Sequence, residues 1–311
     1  MLVRTAAGLN RLVVRLSHAQ YDGFCLPVMF RTLATIYQQE PLHRTTGFHN
    51  FLAYVRGRNS LSVHYWRDLL AGSYVTNITS KICPKVRNDI ALRKIKVERT
   101  MCTPQLPAGI TMTSLVSSAW AVVLSHISGE EDVVYGFVVA GRNSILPGTT
   151  ELIGPCVNFV PVRARPVSTR TSAGLLRSVQ NQYISLGESD SMGFDDIVQH
   201  CTNWPAKSEF DSIVLHQNIE EQPEVHFAGE AIKLQWFQNP FIVPRQLAVV
   251  SYPRGNSLAI TINGNTGILA DRCAEKLLTM LCDTIIHLSG NLEAPLAVCK
   301  SSLPACTWDD E

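Results

Sequence analysis

Apolar residues recur at spacings of three and four along six stretches of the chain, a period that predicts amphipathic helices. These stretches cover residues 25–39, 48–70, 111–128, 171–186, 193–201 and 270–288. Gly57 and Asn59 predict a break inside the second stretch, because both residue types have low helix propensity. Thr111 or Thr113 is a suitable N-cap for the third.

Short apolar runs between these helices predict strands. They cover residues 11–16, 90–97, 132–140, 157–162, 211–216, 246–252 and 257–262. Strands that alternate with long covering helices predict an α/β fold. The polar stretch at 73–88 is the best boundary in the chain. We therefore predict an N-terminal piece at 1–85, a C-terminal lobe at 86–290 and a tail at 291–311.

The composition argues against several classes of function. The 27 basic and 26 acidic residues leave a net charge of +1, so neither nucleic acid nor a membrane surface is an expected partner. No run of about 18 apolar residues is present to span a membrane. The nine cysteines are odd in number and widely spaced. This pattern predicts reduced thiols in a cytoplasmic protein, and neither a disulfide framework nor a metal site.

The strongest chemical signal is the hexapeptide His18-Ala19-Gln20-Tyr21-Asp22-Gly23, which follows the first predicted strand. It places one imidazole where a strand ends, with an acid and a glycine four and five residues further on. An imidazole with an ordinary pKa of about 6.5 accepts a proton from an attacking amine or hydroxyl near neutral pH. We interpret Asp22 as a brace for the turn and Gly23 as the residue that permits its backbone conformation.

Four segments, in this order, resemble the condensation domains of nonribosomal peptide synthetases. Residues 16–23 are similar to the family's His-His-x-x-x-Asp-Gly motif, with Ser17 in place of the first histidine. Residues 51–54, ahead of Tyr65-Trp66, resemble the helix that follows the active site. Residues 153–163 are similar to the pattern I-G-x-x-V-N-x-x-P-x-R, and residues 210–218 resemble a strand common in fungal members.

The resemblance implies a chloramphenicol-acetyltransferase-like, two-lobe α/β fold and a catalytic role for His18. It also implies an arginine paired with the aspartate, for which Arg142 in Gly-Arg-Asn is our candidate. Four residues are expected to shape the active site: Ser17, Asp22, Gly23 and Arg142. Three residues are expected to line the substrate tunnel: Tyr21, Cys25 and Asn158.

The implied reaction is attack of an amine on a carrier-bound peptidyl thioester, which forms an amide bond in secondary-metabolite synthesis. The implied partner is a peptidyl carrier domain whose phosphopantetheine arm presents the substrate, with no directly bound cofactor. Ser17 ahead of His18 resembles the fungal terminal variant, in which intramolecular attack releases a macrocycle. That variant carries Ser or Thr where this chain has Cys25. Only 17 residues precede His18, so the first lobe is expected to be incomplete.

Two alternatives stay open at this point. One is a stand-alone acyltransferase that uses acyl-CoA, although the D-F-G-W-G element of such enzymes is missing. The other is a non-catalytic, truncated remnant or interaction module, which the short first lobe favours. His216, in an apolar run, is expected to be a hydrogen-bonded core histidine rather than a second base. Phe137, Phe159 and Trp236 are interpreted as core or tunnel wall.

Overall fold

The computed structural model describes residues 1–4, 8, 10–42, 46–83, 92–143, 146–218, 225–227, 230–232, 235 and 244–308. Residues 90 and 91 of a predicted strand and the predicted wall residue Trp236 lie outside the described residues. The helices are α1 (Cys25–Tyr37), α2 (Phe48–Leu70), α3 (Thr79–Ile82), α4 (Met112–Ser128), α5 (Ser172–Leu186), α6 (Phe194–Cys201), α7 (Asp271–Gly290) and α8 (Leu296–Ser302). The strands are β1 (Leu2–Arg4), β2 (Asn10–Leu12), β3 (Lys94–Cys102), β4 (Val133–Val139), β5 (Asn158–Ala164), β6 (Ser212–His216), β7 (Val225–Phe227), β8 (Glu230–Ile232), β9 (Leu247–Arg254) and β10 (Ser257–Asn265).

Six of the strands form one mixed sheet in the order β3-β10-β9-β6-β4-β5. β6 pairs in parallel with both β4 and β9, and the other neighbours are antiparallel. The remaining strands form two separate hairpins, β1–β2 and β7–β8. Because β4 and β6 run in the same direction, both end at one edge of the sheet. The loop that carries Gly141-Arg142-Asn143 begins at this edge.

The main core lies between the sheet and its covering helices. α4 is buried along most of its length and contacts β4 and β6. Its Trp120 indole donates to the Ser212 hydroxyl at 3.0 Å, so the polar edge of this buried ring is satisfied. Burial of each such large side chain contributes about 1.5–3 kcal/mol. The Thr111 side chain accepts a bond from Ser114 N–H and caps the helix, as predicted.

α2 corrects one sequence prediction, because it runs without a break through Gly57 and Asn59. A glycine inside a helix costs about 1 kcal/mol relative to alanine. Phe51 near one end of α2, and Trp66 and Leu70 near the other, are buried. Tertiary packing at both ends therefore outweighs the local propensity in the middle of the helix.

The predicted strand at 11–16 is wrong beyond Leu12, since β2 ends there and residues 13–17 are irregular. Residues 10–20 are all exposed, so this apolar run has no core to pack against. The strand predicted at 90–97 is displaced toward the C-terminus, because β3 covers Lys94–Cys102. Near the end of the chain, the segment interpreted as a tail contains α8, whose Leu296 and Cys299 are buried against the core.

The predicted fold class is confirmed, since the described residues form a mixed sheet covered by long helices. The end of α2 and α3 share the main core with the sheet, through Trp66, Leu70, Ile78 and Ile82. The division at residue 85 stays a prediction. Among the described residues, no helix combines the length and the apolar character needed to cross a membrane.

Candidate active site

His18 lies at the surface, in a turn that is closed by its neighbours. Gln20 N–H donates to the Ser17 carbonyl at 2.9 Å, and Ser17 N–H donates to the Gln20 side-chain oxygen at 2.9 Å. The Ser17 hydroxyl accepts from Ala19 N–H at 3.3 Å. The exposed imidazole stacks on the Tyr21 ring, with 4.8 Å between ring centroids and 18° between planes. The turn thus presents the imidazole to solvent on a fixed backbone.

Asp22, four residues further on, is buried with only 1% of its surface exposed. Its Oδ1 accepts from Cys25 N–H at 2.8 Å and so satisfies an amide at the start of α1. The Cys25 thiol contacts both backbone groups of Asp22, at 3.3 Å from the nitrogen and 3.4 Å from the oxygen. The hexapeptide is therefore anchored at its acidic end to the first turn of α1.

Arg142 supplies the positive charge that this buried carboxylate requires. Its Nη2 lies 2.9 Å from each carboxylate oxygen of Asp22, in a pair that is almost fully buried. Cys156 N–H and Val157 N–H donate to Asp22 Oδ2 at 2.8 and 3.2 Å. A buried carboxylate with a cation and backbone amides around it is satisfied. The pairing of Arg142 with Asp22 that the resemblance implied is present in the structure.

The rest of the guanidinium shapes the loop that follows β4. Nη1 donates to the carbonyls of Thr149 and Leu152 at 2.8 and 3.0 Å, and Nη2 donates to Gly154 at 3.1 Å. Leu152 also belongs to a small apolar cluster with Phe51 of α2. We call the ion pair and the backbone groups bound to it the brace. The brace joins three separate parts of the sequence, at residues 22–25, 142 and 149–157.

Two glycines at the site have opposite environments. Gly141 has φ +62°, and a Cβ there would overlap the carbonyl oxygen of Cys156, so this position requires glycine. Gly23 has no positive φ, and a Cβ there would meet nothing within 4 Å. The sequence interpretation of Gly23 as the residue that permits the turn is therefore wrong. At Gly23 the missing side chain leaves open space instead.

The three predicted tunnel residues occupy different settings. Tyr21 is half-buried beneath His18, whereas Cys25 is fully buried on the backbone of Asp22. The Asn158 side-chain nitrogen donates to the carbonyls of Asp190 and Met192, at 2.8 and 2.7 Å. The structure brings all three to the surroundings of the brace, and their contact with substrate stays a prediction.

The sequence interpretation missed Asp190, which lies in a short 3₁₀ turn at Gly187–Ser191. Its Oδ2 accepts from the Asn143 side chain at 2.9 Å. Burial raises the pKa of Asp190 to about 6. No local signal marks it, since Glu-Ser-Asp-Ser is an ordinary polar segment and its partners lie far away in sequence.

Desolvation shifts the pKa of two other groups, the Cys156 thiol just before β5 and the His216 imidazole at the end of β6. Burial raises the pKa of the Cys156 thiol to about 11, so it stays protonated at neutral pH. Burial lowers the pKa of His216, whose Nδ1 lies 2.9 Å from the Ser251 hydroxyl. His216 is thus a hydrogen-bonded, partly buried histidine, as predicted. Within the described residues, no group of acidic, histidine and cysteine side chains is arranged to hold a metal ion.

Comparison with known families tests the resemblance that the sequence motifs carry. A family model described as "Condensation domain" matches residues 1–303. The chain belongs to the condensation-domain family.

Relatives of this condensation domain include fungal synthetases. It is 46% identical over 293 residues to the nonribosomal peptide synthetase TES of Alternaria alternata, covering 94% of this chain and 6% of that protein. A solved structure described as "The crystal structure of CT" is 29% identical with a TM-score of 0.77, covering 90% of this chain and 63% of that chain. The chain therefore spans a small part of the synthetase it matches and less than two thirds of that solved chain.

A more distant structure confirms the fold alone. The starter condensation domain of rhizomide synthetase RzmA, solved in complex with C8-CoA, is 13% identical with a TM-score of 0.68. The match covers 90% of this chain and 66% of that chain. The predicted family and the predicted chloramphenicol-acetyltransferase-like fold are both confirmed. The terminal, macrocyclising variant stays a prediction.

Proposed function

We propose that this condensation domain joins an amine to a carrier-bound peptidyl thioester and so forms an amide bond. The observation that carries the proposal is the exposed His18 imidazole, four residues from a buried aspartate that is ion-paired to Arg142. The brace fixes the backbone at Asp22, while the His18 imidazole stays accessible to solvent. An accessible imidazole on a rigid support is what general-base catalysis requires.

In the proposed step the amine nitrogen attacks the thioester carbonyl carbon. The new C–N bond forms as the C–S bond breaks, and His18 accepts the proton that the nitrogen loses. The same proton then passes to the departing thiolate, so the imidazole returns to its neutral form. A positioned base of this kind contributes about 10²- to 10⁴-fold in rate.

The thiol that leaves belongs to the phosphopantetheine arm of a carrier domain, which we propose as the partner. The arm is a substrate carrier, and the domain itself binds no cofactor in this scheme. Cys25 is buried on the backbone of Asp22, which argues against an acyl intermediate on that thiol. We place the reaction in the cytoplasm, since none of the nine cysteines forms a disulfide bond.

We also propose a more specific reaction, in which amide formation within the bound peptide releases a macrocycle. It is supported by Ser17 at the position before His18, where most members of the family carry a second histidine. The Ser17 hydroxyl accepts a hydrogen bond from Ala19 N–H within the turn. A terminal domain would use an amine within the bound peptide as its nucleophile, and the bond changes would be the same.

The test is amide formation by the full 311-residue chain. Aminoacyl thioesters on a phosphopantetheinylated carrier domain serve as donors, free amino acids serve as acceptors, and mass spectrometry detects the product. We expect product with the natural chain and at least a 100-fold slower rate with His18→Ala. His64→Ala, an exposed histidine on α2, is the matched control and is expected to keep the full rate.

Three outcomes contradict the proposal. Failure of the natural chain to form an amide leaves the non-catalytic alternative in its place. An unchanged rate in His18→Ala removes the imidazole from the mechanism. A product formed from an acyl-CoA donor and absent with the carrier-bound donor favours the free-standing acyltransferase.

A further inference from the structure

The 3₁₀ turn at Gly187–Ser191 is held firmly against α2. The Trp66 indole donates to the Ser189 carbonyl at 3.2 Å, and the Tyr54 hydroxyl donates to the Glu188 carboxylate at 2.7 Å. Both donors come from α2, in which Phe51, Trp66 and Leu70 are buried. The turn is therefore a rigid support for the residue that follows Ser189.

That residue, Asp190, binds the same two chain segments that Asp22 binds. Its carboxylate accepts from the side chain of Asn143, the residue after Arg142, and the Asn143 backbone amide also favours its charged form. Its carbonyl accepts from Asn158, two residues after Cys156. Both buried aspartates thus hold the loop after β4 and the start of β5.

Burial of the Asp190 carboxylate lowers the stability of the fold, which a residue with a purely structural role would avoid. It is 1% exposed, and its Oδ1 has no hydrogen-bond partner among the described residues. Arg142 Nε, in the same cluster, also lacks a partner within the described part of the chain. A buried carboxylate with one oxygen left without a hydrogen bond among the described residues is destabilising, and this one lies beside the brace.

We propose that Asp190 is a positioning residue of the condensation reaction, which holds Asn143 and through it the Arg142–Asp22 brace that supports His18. The proposal rests on the function proposed above. Asp190 touches no reacting atom in this scheme. It acts by fixing the loop that delivers the guanidinium, and a small displacement of such a support lowers the rate strongly.

The charged and titratable surroundings of Asp190 are consistent with this role. Burial raises the pKa of Asp190 most, the side-chain and backbone amides of Asn143 lower it, and Glu188 from the same turn raises it. Burial raises the pKa of the Cys156 thiol most, the charge of Arg142 lowers it, and the charge of Asp190 raises it. The brace cation is already paired with Asp22, so Asn143 is the group through which Asp190 acts on this loop.

The test compares two substitutions at this position in the full chain. Asp190→Ala removes the acceptor, and we expect kcat to fall at least 10-fold while KM changes less than 2-fold. Asp190→Asn keeps an oxygen that accepts from Asn143, and we expect it to restore kcat to within 3-fold of the natural chain. Asp195→Ala, an exposed acid at the start of α6, is the control and is expected to keep kcat.

A second measurement does not depend on activity, and it separates this proposal from the proposed function. In a crystal structure of Asp190→Ala we expect the Arg142–Asp22 contacts, 2.9 Å in the natural chain, to lengthen. In Asp190→Asn we expect them to be kept. Unchanged contacts in Asp190→Ala overturn the positioning role, even if the natural chain forms no amide. Equal losses of kcat in both variants would show that the hydrogen bond accepted from Asn143 is not how Asp190 acts.

Discussion

Asp22 and Asp190 are both buried aspartates that hold the same two segments, and they differ in what surrounds them. Asp22 has the Arg142 guanidinium and three backbone amides on its carboxylate. Asp190 has the Asn143 amide groups, and one of its oxygens lacks a partner among the described residues. The comparison teaches that burial alone does not decide whether a carboxylate stabilises a protein. The number and charge of its donors decide it.

The largest expected effect is at the paired acid. Asp22→Asn removes the charge that neutralises Arg142, and we expect the free energy of unfolding to fall by about 3–5 kcal/mol. Urea denaturation measures this loss. The control is Glu151→Gln, which breaks an exposed ion pair with Arg31 and is expected to cost less than about 1 kcal/mol. Equal losses in the two variants would contradict the assignment of the brace as the main anchor.

The next prediction tests how closely the loop after β4 approaches the backbone just before β5. Gly141→Ala places a Cβ on the Cys156 carbonyl at a positive φ, and we expect a loss of about 2–4 kcal/mol in the free energy of unfolding. Gly23→Ala is the matched control, and we expect a change below about 1 kcal/mol because its surroundings are open. A similar loss at both glycines would show that the close approach at Gly141 does not exist.

The same substitution of acid by amide at Asp190 is expected to change the free energy of unfolding in the opposite direction. The folded-state pKa of Asp190 is raised to about 6, above the value of the unfolded chain, so its ionisation costs stability. This cost is absent below about pH 4, grows as the pH rises through 6, and is then complete. We expect Asp190→Asn to gain about 2–3 kcal/mol at pH 8 and nothing at pH 4.

The measurement for Asp190→Asn is thermal or urea unfolding at several pH values between 4 and 8. Asp195→Asn, at an exposed acid, serves as the control and is expected to show no such pH-dependent gain. A loss of stability in Asp190→Asn at pH 8 would mean that Asp190 is paired as Asp22 is, and the contrast between the two acids would disappear.

The smallest expected effect concerns the thiols on the brace. Cys156 is buried and its pKa is raised to about 11, and Cys25 is fully buried, so we expect neither to react with iodoacetamide at pH 8. Cys102 is exposed and is expected to react within minutes. Mass spectrometry of the native protein locates the labels. Labelling of Cys25 or Cys156 as fast as Cys102 would mean that the brace opens readily.

The sequence allowed the family, the fold class and the position of the candidate site to be predicted. The order of four short motifs carried this information, and the structure places Arg142 on Asp22 as the resemblance implied. Most helices were predicted to within a few residues, because their apolar periodicity is strong. The N-cap at Thr111 was predicted from a local pattern and is present in the structure.

The failures have a common physical cause, which is that long-range contacts override local signals. The unbroken α2 depends on packing of Phe51 and Trp66 at its two ends, and no propensity scale includes that packing. Asp190 meets Asn143 and Asn158 across 47 and 32 residues of sequence. Gly23 looked like a turn glycine because its neighbours are turn residues, whereas its backbone is ordinary.

The three carbonyls bound by Arg142 have a consequence for how this region folds. The carbonyls of Thr149, Leu152 and Gly154 all accept from this one side chain, so the conformation of the loop depends on the position of the guanidinium. The guanidinium is in turn bound by Asp22, whose carboxylate also accepts from Cys25 N–H at the start of α1. We therefore expect the amide protons of Cys25, Cys156 and Val157 to exchange with deuterated water as one cooperative unit, although Cys25 lies more than a hundred residues from the other two.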